Sequence, residues 1–288
     1  MLHTERGTDG TSDGHALADL LKRPRYEVFP VDGIADAVVA HVPTDVKIAI
    51  TSSPTRGIGA TLRLCEQLSG SGFAVAPHLA ARAVRDERHL EEILERLDAI
   101  GVRDAFVIAG DLKEPAGKFG GAVGLLAAMA DLGHGLAEVG ISGYPESHPF
   151  ISDETTIQVM FDKEPFATYI VSQLCLDAGV IAWWIGAVRA RGVRLPIHIG
   201  IAGPIASRKL LRIATRIGVG ESARFLRGRG GLVTRLFLRG RYGPYSLIER
   251  LAPAAADPAS GVAGFHVYTF NEVATTETWR RELLQRLA

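Results

Sequence analysis

Short apolar runs alternate with longer amphipathic stretches along this chain. The runs cover residues 26–29, 46–51, 73–77, 105–109, 136–142, 169–174, 197–201 and 264–269, and each is rich in Val, Ile, Phe or Tyr. Their length and their β-branched and aromatic content predict strands. Several are apolar almost throughout, the pattern of a strand covered on both faces in a parallel sheet. Helical patterns lie between them. Residues 56–69 open on Gly-rich turn residues and carry Leu62, Leu64, Cys65 and Leu68 at helical spacing. Residues 87–100 place Leu90, Ile93, Leu94 and Leu97 on one face, with acids and bases opposite, and stop at Gly101. Residues 122–132 and 205–215 repeat the pattern.

Eight strand candidates, most followed by a helix, give the arithmetic of an α/β fold, a single (βα)8 TIM barrel of roughly 250 residues. The rival is a doubly wound open sheet. It has fewer strands, and for dinucleotides it carries G-x-G-x-x-G after the first; no such string follows Phe29. The expected organisation is a flexible segment over 1–20 and a barrel over 21–288. A basic excursion at about 202–262 separates the last two strands. It contains Arg224, Arg227, Arg229, Arg235, Arg239 and Arg241. Two readings stay open for it: a solvated helical detour, or an anion site near the barrel mouth, where guanidinium groups suit a pyrophosphate or a polyglutamate tail. Residues 253–261 read as a loop by composition.

Composition narrows the function. The 288 residues carry 32 Lys and Arg against 32 Asp and Glu, so the formal net charge is zero. That argues against nucleic acid as the main partner, because phosphate binding draws on surplus cations. Two cysteines, Cys65 and Cys175, cannot build a disulfide scaffold or a four-cysteine zinc site. No apolar run approaches the roughly 18 residues of a membrane span, and the polar start is not of signal-peptide type. A cytoplasmic protein is expected. No H-x-x-x-H spacing or local ligand cluster suggests a metal. No strand candidate runs into a G-x-S-x-G nucleophile elbow, and neither cysteine has an evident His partner.

In a (βα)8 barrel the chemistry sits at the carboxyl ends of the strands. Glu27 lies within the first run, Thr51 ends the second and His78 follows the third. Gly110 and Asp111 follow the fourth, and Tyr144 and His148 follow the fifth. Gln173 lies near the end of the sixth run, and Tyr268 and Asn271 close the set. Each has a structural alternative: a carboxylate paired in the wall for Glu27, a satisfied core histidine for His78, a turn cap for Asp111, a loop histidine for His148, a backbone contact for Gln173. The alternatives weaken jointly, because a stability-only design does not require so many polar groups at one end of one barrel.

Six segments in order resemble the methylenetetrahydrofolate reductase family over nearly the whole chain, from about Arg25 to Leu284. Tyr26-Glu27-Val28-Phe29-Pro30 resembles F-E-F-F-P, Pro77-His78-Leu79 resembles P-H-L/T, and Ala109-Gly110-Asp111 resembles R-G-D. Tyr144-Pro145-Glu146-Ser147-His148-Pro149 matches Y-P-E-x-H-P and is the most specific. Ser172-Gln173 resembles T-Q, and Phe265-His266-Val267-Tyr268-Thr269-Phe270-Asn271 resembles F-H-F-Y-T-L-N. The resemblance implies a (βα)8 barrel that reduces 5,10-methylenetetrahydrofolate to 5-methyltetrahydrofolate with NADH or NADPH, usually through FAD, and so supports methionine biosynthesis. It implies Glu27 as the acid that opens the imidazolidine ring at N10 and Asp111 as the carboxylate that binds the pterin and steadies its developing charge. Gln173, Phe225 and Tyr268 become substrate contacts, and Thr51, His78, Gly110, Tyr144 and His148 cofactor contacts.

The chain also departs from the family pattern. The Arg of R-G-D is Ala109, and a Tyr-Ala pair lining the flavin side is Gly120-Gly121-Ala122. A basic stretch before the sixth strand shrinks to Lys163, and its Gly becomes Phe166. A folate-side Arg is Glu272. These losses imply that FAD is bound weakly or not at all, with hydride passing directly from NADH. The alternatives are the usual FAD-dependent reductase, a folate-dependent one-carbon transferase, and a non-catalytic folate-binding paralogue.

Overall fold

A computed structural model describes residues 9–146, 153–216 and 240–287. The chain enters through α1 (Asp9–Lys22) and then alternates strand and helix. In order come β1 (Arg25–Val28), α2 (Ile34–His41), β2 (Lys47–Ile50), α3 (Gly57–Gly70), β3 (Val75–Ala80), α4 (Glu87–Ala99), β4 (Asp104–Ile108) and α5 (Ala122–Leu132). There follow β5 (Glu138–Gly143), α6 (Asp153–Lys163), β6 (Tyr169–Ser172), α7 (Ala178–Ala190) and β7 (Ile197–Ala202). The excursion after β7 contains β8 (Ile205–Ala206), α8 (Ser207–Arg216), β9 (Arg241–Tyr242) and α9 (Tyr245–Ala256); β10 (Val262–Tyr268) and α10 (Val273–Leu287) complete the chain. β1 to β7 and β10 pair in parallel, and β1 joins both β2 and β10, so the sheet closes into a barrel. β8 and β9 form a small antiparallel pair outside it.

The period-two geometry of a strand sorts each side chain to one of two layers. In β1, Tyr26 and Val28 face outward into the core between strands and helices, joined there by Ile48, Ile50, Leu79 and Phe265, all buried. Removing each large apolar side chain from water contributes roughly 1.5–3 kcal/mol, which is why this shell holds the fold. Arg25 and Glu27 point the other way, into the barrel. At the amino-terminal end the interior is filled by ions: Arg25 donates to Asp104 (2.5 Å) and Glu138 (2.5 Å), and Lys47 donates to the same two carboxylates at 2.7 and 2.8 Å. Tyr169 donates to Asp104 at 2.8 Å and lies under the Arg25 guanidinium. This paired layer closes the amino-terminal end of the barrel.

Two segments differ from the reading of the sequence. The segment expected to be flexible is helical over Asp9–Lys22, because Leu17 and Leu21 lie on one face and are buried against α9, α10 and β10. Arg280 caps this helix by donating to the carbonyls of Leu21 (3.2 Å) and Lys22 (3.1 Å). The loop expected over 253–261 starts later, since α9 runs to Ala256 with Pro253 inside it. Buried Leu247, Ile248, Leu251 and Ala252 hold that helix in place, so packing outweighs the lost Pro N–H. Among the described residues, no helix is long and apolar enough to cross a membrane.

Candidate active site

Above the ion-paired layer the barrel interior changes character. Glu27 of β1, His78 of β3, Phe106 of β4 and His266 of β10 meet there. Glu27 is 9% exposed, His78 5% and His266 1%. The Glu27 Oε2 atom lies 3.1 Å from His266 Nε2 and 3.7 Å from His78 Nε2. The first is a hydrogen bond and the second is beyond one. Burial pushes the His78 imidazole down to about 4, although the Glu27 charge pulls the other way. His78 is therefore neutral at physiological pH, and its approach to Glu27 is not an ion pair. Phe106 packs on His78 with ring centres 4.8 Å apart, and Tyr268 meets His266 edge-on at 5.0 Å.

The strand ends fix Glu27 from above. The Glu27 carbonyl accepts from Thr269 Oγ1 at 2.6 Å, and Asn271 holds the next residues by accepting from Phe29 N (2.8 Å) and donating to Phe29 O (3.1 Å). Asn271 adopts φ +65°, the left-handed conformation that Asn tolerates better than most residues. Tyr268 donates to the Ser172 carbonyl at 3.1 Å. Burial, and then the Glu27 charge, raise its phenol well above the usual value, so it stays a neutral donor.

Around the rim, Thr51 follows β2 with its N–H on the Val28 carbonyl at 3.0 Å, and its buried hydroxyl has no partner among the described residues. Gly110 takes φ +89°, and a Cβ there would lie 2.8 Å from the Ala80 Cβ, so only glycine makes this turn without strain. The turn presents Asp111 exposed at the carboxyl end of β4. Gln173 follows β6, its amide N bonded to the Gly143 carbonyl at 2.7 Å and its side-chain oxygen accepting from Leu174 N at 2.9 Å. Tyr144 accepts from Ser142 Oγ at 3.1 Å. Glu27, His78, Thr51, Gly110, Asp111, Tyr144, Gln173 and Tyr268 thus all belong to the same end of the barrel. His148, Phe225 and the basic residues from Arg224 to Arg239 lie outside the described residues.

The placement of three departures from the family pattern refines their meaning. Lys163 ends α6 and Phe166 follows in the turn that feeds the start of β6, at the closed end of the barrel. Neither faces the site, so neither bears on a ligand there. Glu272, after β10, is paired with Lys209 of α8 at 2.9 Å. His266 and Phe106 were not singled out from sequence. The signal was available: His266 sits two residues before Tyr268, on the same inward face.

A closed (βα)8 barrel with a buried carboxyl below its open end has the layout of a barrel enzyme. The sequence profile described as methylenetetrahydrofolate reductase matches residues 38–225, and the chain belongs to that family, a family of folate-related barrel enzymes. Among solved structures, oxaloacetate acetylhydrolase in complex with 3,3-difluorooxalacetate is similar at 12% identity, over 96% of this chain and 86% of that one, with a TM-score of 0.51. Dihydropteroate synthase from Yersinia pestis is similar at 16% identity, over 93% and 96%, with a TM-score of 0.45. The dihydropteroate synthase of Thermus thermophilus gives 14%, 92%, 93% and 0.43. At 12% identity the likeness to the acetylhydrolase is one of fold alone.

Proposed function

We propose that this chain reduces 5,10-methylenetetrahydrofolate to 5-methyltetrahydrofolate, with NADH as the expected hydride donor and no flavin between them. The observation that carries the reading is the buried Glu27 carboxyl at the position of the family's acid, inside the barrel and below Asp111, Gln173 and Tyr268 at the rim. Glu27 gives its proton to N10, the five-membered ring opens, and the methylene carbon becomes an iminium on N5. Asp111 steadies the positive charge electrostatically. Gln173 and Tyr268 hold the pterin, and hydride from the dihydronicotinamide adds to the iminium carbon to give the methyl group. Overall, one hydride and one proton are taken up.

The residues present are a poor match for FAD. Where the family pattern has Arg, Ala109 offers a methyl group. The nearby Arg82 guanidinium is already bonded to the carbonyls of Leu112 (2.6 Å), Gly120 (3.3 Å) and Lys113, and Lys118 is paired with Glu87. A pyrophosphate gains little from cations engaged in this way. The test is the visible spectrum of protein purified without added flavin, followed by an NADH-oxidation assay with and without the folate. The expected result is a colourless sample that oxidises NADH only when the folate is present. A flavin spectrum, or activity regained only on adding FAD, overturns direct transfer. Inactivity under every condition overturns the reductase reading.

A further inference from the structure

We propose that His266 is a positioning residue for Glu27: its Nε2–H donates to Glu27 Oε2, leaving Oε1 to carry the proton that the substrate receives. This rests on the reductase reading only for what the proton is used for. The pairing itself stands on geometry. Of the two imidazoles beside Glu27, only His266 is within hydrogen-bond distance, at 3.1 Å. Its other ring nitrogen, Nδ1, is buried and has no partner among the described residues. If Nδ1 carried the hydrogen, a buried N–H would go unsatisfied while Nε2 merely accepted. With the hydrogen on Nε2, the bare atom is an acceptor, which buried sites tolerate more readily, and the N–H meets a carboxyl it can charge-stabilise. The ring is held in this orientation by Tyr268 edge-on at 5.0 Å and Phe106 at 6.5 Å.

A donor fixed on Oε2 holds the carboxyl in one orientation, with Oε1 left free to meet the ligand nitrogen. The other titratable or charged groups facing this pair are His78 on β3, Tyr268 on β10, Asp104 on β4, Arg25 on β1 and His198 on β7. His78 is neutral, Tyr268 is a neutral phenol, and Arg25 and Asp104 are paired with each other below. None of these five donates a hydrogen bond to the Glu27 carboxyl.

The test compares His266→Leu, which removes the donor, with His266→Gln, which keeps an N–H of similar reach. In His266→Leu, kcat is expected to fall at least tenfold while KM for the folate changes less than twofold. His266→Gln is expected to recover most of the lost kcat, again with KM within twofold. An unchanged kcat in His266→Leu, or no recovery of kcat in His266→Gln, overturns the proposal. Histidine 15N spectra of the wild-type protein give a second readout that needs no turnover. The Nε2–H tautomer is expected at His266, with a proton shift that changes in Glu27→Gln; an Nδ1–H tautomer overturns the pairing whether or not the protein turns over. Inactive protein with the Nε2–H tautomer places the failure in the reductase reading alone.

Discussion

Glu27 illustrates how much one residue's chemistry depends on which way its strand faces. Its neighbours Tyr26 and Val28 are sealed against helices, whereas Glu27 shares a confined interior with two imidazoles and a phenyl ring. Water reaches it poorly, and on the proposed reading a proton placed on it would pass to the ligand rather than to solvent. Replacement by Gln keeps size and most hydrogen bonding but removes the transferable proton. Glu27→Gln is expected to lose turnover by about 100-fold or more, the usual worth of a general acid, while folate binding measured by fluorescence titration stays within a few-fold of wild type. Full activity in this variant would assign the acid elsewhere. Glu27 was readable from sequence because a carboxylate inside an apolar run is unusual. His266 carried a weaker signal, its shared register with Tyr268, and in a chain with nine histidines a His flanked by Phe and Val reads equally well as core.

The elements divide in the same way. All eight barrel strands coincide with apolar runs, because burial on both faces leaves a continuous hydrophobic signal. The limits of the reading come from packing between distant elements. The helix Asp9–Lys22 depends on Leu17 and Leu21 meeting α9 and α10, more than two hundred residues away, and local polarity masks it. Lys163 and Phe166 lie near the site in sequence order but at the opposite end of the barrel, a distinction that helix length and direction make and residue type does not. The connection from β4 to α5 shows how such an element is positioned. Arg82 donates to three carbonyls along it, its own carbonyl accepts from Ala116 N at 2.8 Å, and Arg85 O accepts from Lys118 N at 3.0 Å. This lacing holds the turn that presents Asp111. Arg82→Met removes the side-chain bonds and leaves the barrel core untouched. The expected outcome is a rise of roughly tenfold in KM for the folate, equivalent to about 1.4 kcal/mol of lost positioning. The midpoint of thermal unfolding should fall by only a few degrees. A KM unchanged from wild type would mean that the connection is held without Arg82.

At the scale of the whole barrel, the ionic layer at one end and the candidate site above it bury two imidazoles, His198 and His78, where charging them is costly. Burial pushes His198 down to about 3, with Arg25 as the next cause, and His78 to about 4. Unfolded, both titrate near 6.5. Above that value neither state binds the proton, and the folded barrel keeps its full stability. Below it the unfolded chain takes up two protons that the native state refuses, so stability falls with pH until the folded values near 4 and 3 are reached. Each imidazole approaches 1.4 kcal/mol per pH unit in that interval, so the free energy of unfolding should drop by roughly 2 kcal/mol between pH 6 and pH 5. Glu138, held below its usual range despite burial by its bonds to Lys47 and Arg25, contributes in the same direction only near and below the ordinary carboxylate value of about 4.3. The two contributions therefore separate along the pH axis. Urea unfolding followed from pH 7 to pH 4.5 resolves the first, and His198→Gln, which cannot titrate, should reduce the slope between pH 6 and pH 5 to about half. A wild-type curve that is flat down to pH 5 would mean that both imidazoles accept protons inside the native barrel as readily as in water, and that the interior is open to solvent.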